Sequence, residues 1–312
     1  MSRLIFGWLT GLMASLPLSL GYFLASALTE VHFRCFPGRR HNALANLAVA
    51  LPRSGRRERL QIVRRMMRSY NCMLFEFFRL PHLTRRELLD SVVVEGREHL
   101  EQAVARGRGV ILASTHIGNW ELAAVVLAHW GYRLYAVAGV QLSRWLTPAV
   151  RETKTELAIH TVAPEDGYRR LLRALEHNDL VALMVDGDVY NHGQPVEFFG
   201  RETTFPAGPG VLAQRTGALI ICGYCERIAS GRFRIVMEPA IDPARFDSVQ
   251  ASTRPWRTRS SATSGSTWTS GASSVPCGRA SPRRKPSRRG GASRREDRDR
   301  FPVLLPALRR RH

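Results

Sequence analysis

From residue 92 onward, short apolar runs typical of strands alternate with segments whose apolar residues recur at the helical period. Because parallel strands need a crossover connection, strands that alternate with helices usually form a largely parallel sheet. The predicted strands are Val92–Glu95, Gly109–Thr115, Tyr132–Val137, Leu180–Val185, Ala218–Tyr224 and Arg232–Glu238. The predicted helices between them are Glu98–Arg106, Asn119–His129, Gly167–His177 and Gly208–Thr216. The sequence therefore predicts an α/β fold with a mostly parallel central sheet flanked by helices.

The N-terminal segment is apolar and carries no charged side chain over residues 4–28. A helix rising about 1.5 Å per residue over this length could cross the roughly 30 Å hydrocarbon core of a bilayer. Three interpretations are open: a membrane-spanning anchor, a helix in the membrane interface, and a signal peptide cleaved after residues 25–27. We expect an uncleaved, membrane-associated helix over residues 1–30. The basic residues within 34–40 would keep the following domain on the cytoplasmic face of the cytoplasmic membrane.

Residues 39–80 are predicted to be helical, because the apolar residues of Arg56–Arg79 follow the 3.6-residue period closely. After about residue 250 all such patterning stops, and the chain becomes rich in Arg, Ser, Pro and Gly. We predict that residues 249–312 are a disordered tail. Because patterning is lost within a few residues, we also predict that this tail arose by a change of reading frame.

The net charge is +20, from 46 Lys and Arg against 26 Asp and Glu. Much of this excess lies in the tail, so the net charge is a poor guide to partners. The α/β part has no basic segment interleaved with aromatic residues, and a nucleic-acid partner is not expected. Its smaller positive charge suits an anionic membrane surface or an acidic carrier protein.

The pair Cys222-Gly-Tyr-Cys225 has the spacing of a redox dithiol or of half a zinc site. A zinc site needs two further ligands, and the sequence contains no second pair of this kind. A redox motif would open a helix, whereas this pair lies in a predicted strand. We therefore expect reduced, buried cysteines.

The chemically most informative stretch is Ser114-Thr-His116-Ile-Gly-Asn119-Trp-Glu121, which joins a predicted strand to a predicted helix. It lies at the carboxyl edge of the sheet, where open α/β sheets bind their ligands. Asn119 is a favourable N-cap residue, which places Glu121 in the first helical turn and His116 on the connecting loop. We expect the side chains of His116 and Glu121 to be close enough to form a hydrogen bond.

A histidine paired with a carboxylate can act as a general base near neutral pH. The carboxylate on one ring nitrogen fixes the tautomer and stabilises the imidazolium that forms when the other nitrogen takes a proton. A purely structural interpretation is also open, because loop histidines are commonly polar surface and the helix dipole favours Glu in a first turn. The sequence contains no Gly-x-Ser-x-Gly motif that would supply a serine nucleophile.

The segment His116-Ile-Gly-Asn-Trp-Glu121 resembles the H-x4-D/E motif of the lysophospholipid acyltransferase superfamily. Its form is similar to that of the lipid A late acyltransferases (lauroyl and myristoyl acyltransferases) and of phosphatidylinositol mannoside acyltransferases. The resemblance extends over about residues 4–242. The further matching blocks are Arg39-Arg40 with Asn46-Leu47, Asp186-Gly-Asp188, Phe198-Phe199-Gly200 and Pro206-Ala-Gly-Pro209.

The resemblance implies an O-acyltransferase with a glycerolipid acyltransferase-like fold, in which residues 31–248 form a catalytic domain behind the membrane anchor. It implies transfer of a fatty acyl group from acyl carrier protein or acyl-CoA to a hydroxyl of a membrane lipid or glycolipid, without a cofactor. His116 would be the general base, and Glu121 would orient it. The expected substrate-binding residues are Asn119, Asp186, Asp188, Phe198, Phe199, Gly200 and Arg201. Of these, Arg201 is proposed because a guanidinium binds phosphate in a bidentate manner.

The sequence departs from this family in two places. Relatives often carry an arginine followed by a glycine after the third strand, and no residue between Arg151 and Lys154 matches that pair. The C-terminal helices of relatives are not recognisable after residue 250, so apolar residues such as Leu219 and Ile235 would be left exposed. The alternative function is a catalytically silent, membrane-surface lipid-binding protein with the same fold. Asp186 and Asp188 have the spacing of a DxD metal site, but no metal is expected.

Overall fold

The computed structural model describes residues 2–139, 141–164, 167–188 and 193–245. The helices are α1 (Ser2–Ser15), α2 (Leu18–Cys35), α3 (Pro37–Ala50), α4 (Arg56–Arg79), α5 (Arg85–Asp90), α6 (Arg97–Val104), α7 (Trp120–His129), α8 (Thr147–Glu156), α9 (Gly167–Glu176) and α10 (Gly208–Thr216). The strands are β1 (Val92–Glu95), β2 (Val110–Gly118), β3 (Leu134–Val137), β4 (Ile159–Val162), β5 (Leu180–Met184), β6 (Gln194–Phe198), β7 (Arg201–Phe205), β8 (Leu219–Ala229) and β9 (Arg232–Met237). The predicted disordered tail of residues 249–312 lies outside the described residues, and the predicted change of reading frame lies there too.

Seven of these strands form one sheet in the order β1-β9-β8-β2-β5-β3-β4. The five strands from β8 to β4 run parallel to one another. β9 runs antiparallel to β8, and β1 runs parallel to β9. β6 and β7 pair separately as an antiparallel hairpin. The predicted α/β class with a mostly parallel sheet is therefore confirmed.

Apolar clusters cover both faces of the sheet. Successive residues of a strand point to opposite faces, so Val110 belongs to one cluster and Ile111 to the other. Helices α4 to α8 supply the first cluster, whereas α9, α10 and the hairpin β6–β7 supply the second. Leu219 and Ile235 are buried in the first cluster. The expectation that they would be exposed is wrong, because α6 packs against both β8 and β9 and α7 packs against β8.

Cys222 and Cys225 lie three residues apart in β8 and therefore contact different apolar clusters on opposite faces of the sheet. Both side chains are buried, as predicted. Burial, with the nearby charge of Glu76, raises the pKa of the Cys225 thiol, which keeps that thiol protonated at neutral pH. This placement does not suit a redox dithiol.

Several elements were not predicted from the sequence pattern. β4 has the sequence Ile-His-Thr-Val, and its two polar central residues gave no strand signal. The helix α8 and the hairpin β6–β7 were also not predicted. β2 continues to Gly118, so His116 lies in the strand and not on a loop. The pairing of β2 with β8 is irregular between Ser114 and Gly118, where the strand approaches the site.

The N-terminal apolar segment folds as two helices, and the prediction of one continuous helix is wrong. The chain bends by 117° between α1 and α2. Pro17 begins α2, because its fixed φ suits a helix start and its missing N–H cannot continue α1. Within the described residues no single helix is long and apolar enough to cross a membrane, and only the bent pair α1–α2 meets that requirement by length and composition.

The helix α4 holds this bent pair against the α/β domain. Phe6 of α1 packs against Phe77 and Phe78. The guanidinium of Arg79 donates hydrogen bonds to the backbone carbonyls at the end of α1, which have no partner within the helix. α4 therefore connects the N-terminal helix pair to β2 of the central sheet.

Candidate active site

The junction between β2 and α7 is built by three backbone features. Gly118 has a φ of +61°, and a Cβ at this position would collide with the carbonyl oxygen of Cys225 in the neighbouring strand. The amide of Asn119 donates a hydrogen bond of 2.9 Å to that same carbonyl. The side-chain oxygen of Asn119 accepts from the amide of Leu122 at 2.9 Å and caps α7, as predicted. The chain therefore turns sharply from strand to helix at Gly118 and Asn119, two residues after His116.

His116 is held by the carboxylate of Asp186. The ring Nδ1 lies 2.9 Å from Asp186 Oδ1, and the backbone amide of His116 donates to Oδ2 at 2.8 Å. Asp186 follows β5, which pairs directly with β2, so the carboxyl ends of the two strands place the residues side by side. The ring of Trp120 packs edge-on at 4.8 Å from the imidazole. These contacts fix both the position of the ring and its orientation.

The charges around His116 favour the protonated imidazole. Burial acts to lower the pKa of His116, but the charge and hydrogen bond of Asp186, together with the charge of Glu121, raise it above its ordinary value. Burial acts in the opposite direction on Asp186, and its interaction with His116 holds the pKa of that carboxyl below its ordinary value. The side chain of His116 keeps 32% of its surface exposed, whereas that of Asp186 keeps 6%. The pair is therefore a partly accessible base backed by a buried carboxylate.

The sequence predicted that Glu121 orients His116, and the structure places the carboxylate of Asp186 on Nδ1 of His116. Glu121 lies in the first turn of α7, as predicted, but its Oε1 accepts a hydrogen bond of 2.7 Å from Lys154 Nζ. Lys154 is buried, and its ammonium also lies 5.8 Å from the centre of the Phe77 ring. The negative charge of Glu121 acts on His116 by helping to raise the pKa of its imidazole. The correction follows from sheet order, which brings the end of β5 beside β2 although 70 residues separate them.

Asn119 was predicted to contact substrate, and its place in the structure favours a supporting role. Its side chain is fully buried. While its oxygen caps α7, its Nδ2 donates to Oε2 of Glu76 at 2.8 Å. Glu76 in turn pairs with Arg227 of β8. Sequence analysis missed Glu76, Lys154 and Arg227, although a lone Glu in the apolar run Leu74-Phe75-Glu76-Phe77-Phe78 is a recognisable signal.

Asp188 follows β5 and contacts the residue that precedes β6. Its Oδ2 accepts a hydrogen bond of 3.0 Å from the amide of Gly193. Its side chain is buried. Among the residues that the structure describes, no group of three or more His, Cys, Asp or Glu is arranged to hold a metal ion.

The predicted block Phe198-Phe199-Gly200-Arg201 forms the tip of the β6–β7 hairpin. Phe199 and Gly200 are the two turn residues, with φ values of +51° and +70°, which is typical of a tight hairpin turn. Phe198 packs against Phe205 and the apolar cluster, while Phe199 and Arg201 are exposed. Phe198 thus fixes the hairpin to the core, and the predicted contact of this block with substrate stays a prediction.

A histidine at the carboxyl edge of a parallel sheet, held by a buried carboxylate, has the chemistry that a general base requires. The family of bacterial lipid A biosynthesis acyltransferases matches residues 4–257 of this chain. Because this match covers most of the chain, the chain belongs to that family.

The relatives with curated names are phosphatidylinositol mannoside acyltransferases. The protein of Mycobacterium tuberculosis (strain H37Rv) is 32% identical over 165 residues, which are 51% of this chain and 52% of the relative. That of Mycolicibacterium smegmatis is 32% identical over 169 residues, covering 53% and 55%. The chain thus spans about half the length of the curated relatives it matches. Among solved structures, the 1-acyl-sn-glycerophosphate acyltransferase of Thermotoga maritima matches with a TM-score of 0.39 and 13% identity, covering 78% of this chain and 96% of the other.

Proposed function

We propose that this chain is an O-acyltransferase of membrane lipid biosynthesis, which moves a fatty acyl group from a thioester donor to a hydroxyl of a lipid or glycolipid. The observation that carries the proposal is the His116–Asp186 pair at the carboxyl edge of the sheet. Membership of the lipid A acyltransferase family supports the reaction class. The donor in this proposal is acyl carrier protein or acyl-CoA, and the reaction uses no cofactor.

In the proposed reaction, Nδ1 of His116 keeps its proton and donates a hydrogen bond to Asp186, so Nε2 is the basic nitrogen. Nε2 takes the proton of the acceptor hydroxyl while the hydroxyl oxygen attacks the thioester carbonyl. The tetrahedral intermediate then expels the thiol sulfur as the C–S bond breaks. The imidazolium returns its proton to that sulfur, which leaves an ester and a free thiol. Asp186 stabilises the imidazolium, and Glu121 adds its negative charge.

The predicted substrate contacts fit this reaction as follows. The exposed Arg201 would bind a phosphate of the donor or the acceptor, since its guanidinium can make two parallel hydrogen bonds. The exposed Phe199 beside it would contact apolar parts of the substrate. Asp188 would act indirectly, because its carboxylate accepts from the amide of Gly193, directly before the hairpin that carries Phe199 and Arg201.

We propose that α1 and α2 associate with the membrane that holds the acceptor. Most of the large apolar side chains that are exposed in the described residues lie on these two helices, among them Trp8 at 79% and Phe23 at 67% exposure. An apolar surface of this kind is typical of a helix seated in a membrane interface. The basic residues Arg39 and Arg40 after α2 favour the cytoplasmic face. The names of the curated relatives make a mannosylated phosphatidylinositol the first acceptor to test.

The experiment is a turnover assay with detergent-solubilised protein, a fatty acyl thioester, and lysophospholipid, lipid A precursor or phosphatidylinositol mannoside acceptors. His116→Ala should lower kcat by about 10²- to 10⁴-fold, as expected for loss of a positioned general base. His129→Ala is the matched control, because His129 lies on α7 and bonds only its own helix carbonyl at Val125 among its described contacts. Equal turnover by the wild type and His116→Ala would contradict the proposal. Lipid binding without any turnover would favour the catalytically silent alternative.

A further inference from the structure

Glu76 is a carboxylate buried in an aromatic environment that the reaction itself does not use. It lies in α4 between Phe75 and Phe77 and is 5% exposed. A charge buried to this extent is costly unless opposite charge and hydrogen-bond donors satisfy it. Three side chains from three other parts of the chain do so: Tyr22, Asn119 and Arg227.

The donors divide between the two carboxylate oxygens. Oε1 accepts from the hydroxyl of Tyr22 at 2.7 Å and from Nε of Arg227. Oε2 accepts from Nη2 of Arg227 at 2.8 Å and from Nδ2 of Asn119 at 2.8 Å. The bidentate contact with Arg227 compensates the negative charge. The contact with Asn119 is therefore not needed to neutralise Glu76, and it can fix the orientation of the Asn119 side chain.

The observed orientation of Asn119 is fixed by contacts at both ends of its amide. Its Oδ1 accepts from the amide of Leu122, and its Nδ2 donates to Glu76. Rotating the amide by half a turn would place its NH₂ against the Leu122 N–H and its oxygen against a carboxylate, and both contacts repel. Glu76 thus selects the orientation in which Asn119 caps α7.

The same carboxylate joins the N-terminal helix pair to the sheet. The Tyr22 hydroxyl that donates to Glu76 also accepts a hydrogen bond of 2.9 Å from the amide of Gly231, in the turn between β8 and β9. Arg227 lies in β8, the strand that also holds the backbone of Asn119. One buried group therefore contacts α2, β8 and the start of α7.

We propose that Glu76 is a positioning residue for the catalytic junction: it fixes the amide of Asn119, and thereby the placement of His116 and Glu121 on either side of it. The inference rests on the proposed acyl transfer. Glu76 itself is buried and does not touch substrate. Its effect should therefore appear in kcat and not in KM.

The direct test is Glu76→Gln in the purified full-length chain, measured in the thioester assay. In the new amide an NH₂ group replaces one carboxylate oxygen. This NH₂ is a hydrogen-bond donor, and it must face the donor groups of Arg227 or Asn119. We expect kcat to fall by about 10- to 100-fold, the size of effect that small misplacement of catalytic groups produces. KM should change less than about threefold, on the same reasoning.

Two further variants separate positioning from folding. Asn119→Ser keeps an oxygen that can cap α7 and leaves the Glu76–Arg227 pair intact, so it should fold while losing kcat to a similar extent. The double variant Glu76→Gln with Asn119→Asp reverses donor and acceptor, because the new amide can donate to the new carboxylate. It should recover kcat to within about fivefold of the wild type, since the capped geometry is restored.

Thr29→Val is the matched control. It removes another buried hydrogen bond between α2 and α4, the one from Asn71 Nδ2 to Thr29 Oγ1, without touching Asn119. It should lower Tm and leave kcat unchanged.

The proposal is overturned if folded Glu76→Gln and Asn119→Ser keep kcat within about twofold of the wild type, or if Thr29→Val lowers kcat as much as they do. An active His116→Ala in the same assay would instead overturn the proposed function, whereas an inactive one beside a fully active Glu76→Gln would overturn this inference alone.

Discussion

At the scale of single residues, the site depends on charged groups that are buried in pairs. Glu121 and Lys154 form one such pair, with side-chain exposures of 16% and 5%. Removing one member of a buried ion pair leaves the other without its partner charge, which typically costs about 3–5 kcal/mol. Replacing both members with neutral residues avoids that cost. Paired substitutions can therefore separate the stability of the site from its chemistry.

Glu121→Gln should lower the free energy of unfolding by about 3 kcal/mol, because Lys154 is left buried and unpaired. The double variant Glu121→Gln with Lys154→Met should regain most of that stability. Its kcat should stay low, since the charge of Glu121 no longer favours the imidazolium of His116. Denaturant unfolding and the thioester assay on the same samples check both points. A double variant with wild-type kcat would show that Glu121 serves only the fold.

The residues of the site could be predicted from the sequence in part. His116, the Asn119 cap and the helical position of Glu121 followed from local pattern, because cap and strand signals span only a few residues. The partner of His116 did not, since Asp186 is distant in sequence and reaches it only through the pairing of β2 with β5. Glu76 reaches the site from a helix that precedes the whole sheet.

At the scale of elements, α4 is the support on which the N-terminal helices pack. α2 packs tightly against it at Gly21, where an added Cβ would overlap the ring of the buried Phe75. The ring cannot move far, because it also packs edge-on against Tyr22. Glycine at this position therefore sets the distance between the two helices.

Gly21→Ala should lower the free energy of unfolding by about 1–3 kcal/mol, because the new methyl group overpacks this contact. Gly11→Ala is the control in α1, where no atom lies within 4 Å of the added Cβ. It should be neutral or stabilising by up to about 1 kcal/mol, since Ala favours a helix over Gly. Thermal or urea unfolding of both variants checks the difference. Equal effects would mean that α2 does not pack on α4 as described.

Element prediction succeeded where the apolar pattern was clear and failed where polar residues or a proline interrupted it. Helix α10 was predicted with its observed ends, and α4 lies within one continuous apolar pattern. The continuous N-terminal helix failed because a proline lies within an otherwise uniform apolar run, which composition alone does not resolve. Four-residue strands such as β4 give too few residues for a period.

At the scale of the whole molecule, exposed apolar surface is concentrated at one part of the chain. Trp8 and Phe23 are the most prominent members, and substitution there removes few contacts within the fold. The α/β domain, in contrast, buries its apolar residues on both sides of the sheet. This asymmetry is expected for a protein that works at a membrane surface.

The double variant Trp8→Ser with Phe23→Ser should bind more weakly to vesicles of phosphatidylethanolamine and phosphatidylglycerol, because both apolar anchors are lost. Tyr168→Ser, at an exposed aromatic residue on α9, is the control and should bind like the wild type. Co-sedimentation at a fixed salt concentration measures the bound fraction. Unchanged binding by the double variant would exclude α1 and α2 as the membrane-docking surface.

The pairing of His116 with Asp186 is tested most directly by the pH dependence of kcat/KM, which reports the pKa of the base in the free enzyme. His116 must be unprotonated to accept a proton, and its pKa is raised above its ordinary value of about 6.5. Activity should therefore be lost as the pH falls through a midpoint above about 6.5. In Asp186→Asn the negative charge is gone, so the midpoint should move to lower pH and the plateau value should fall. A midpoint that stays where it is in the wild type would contradict the pairing.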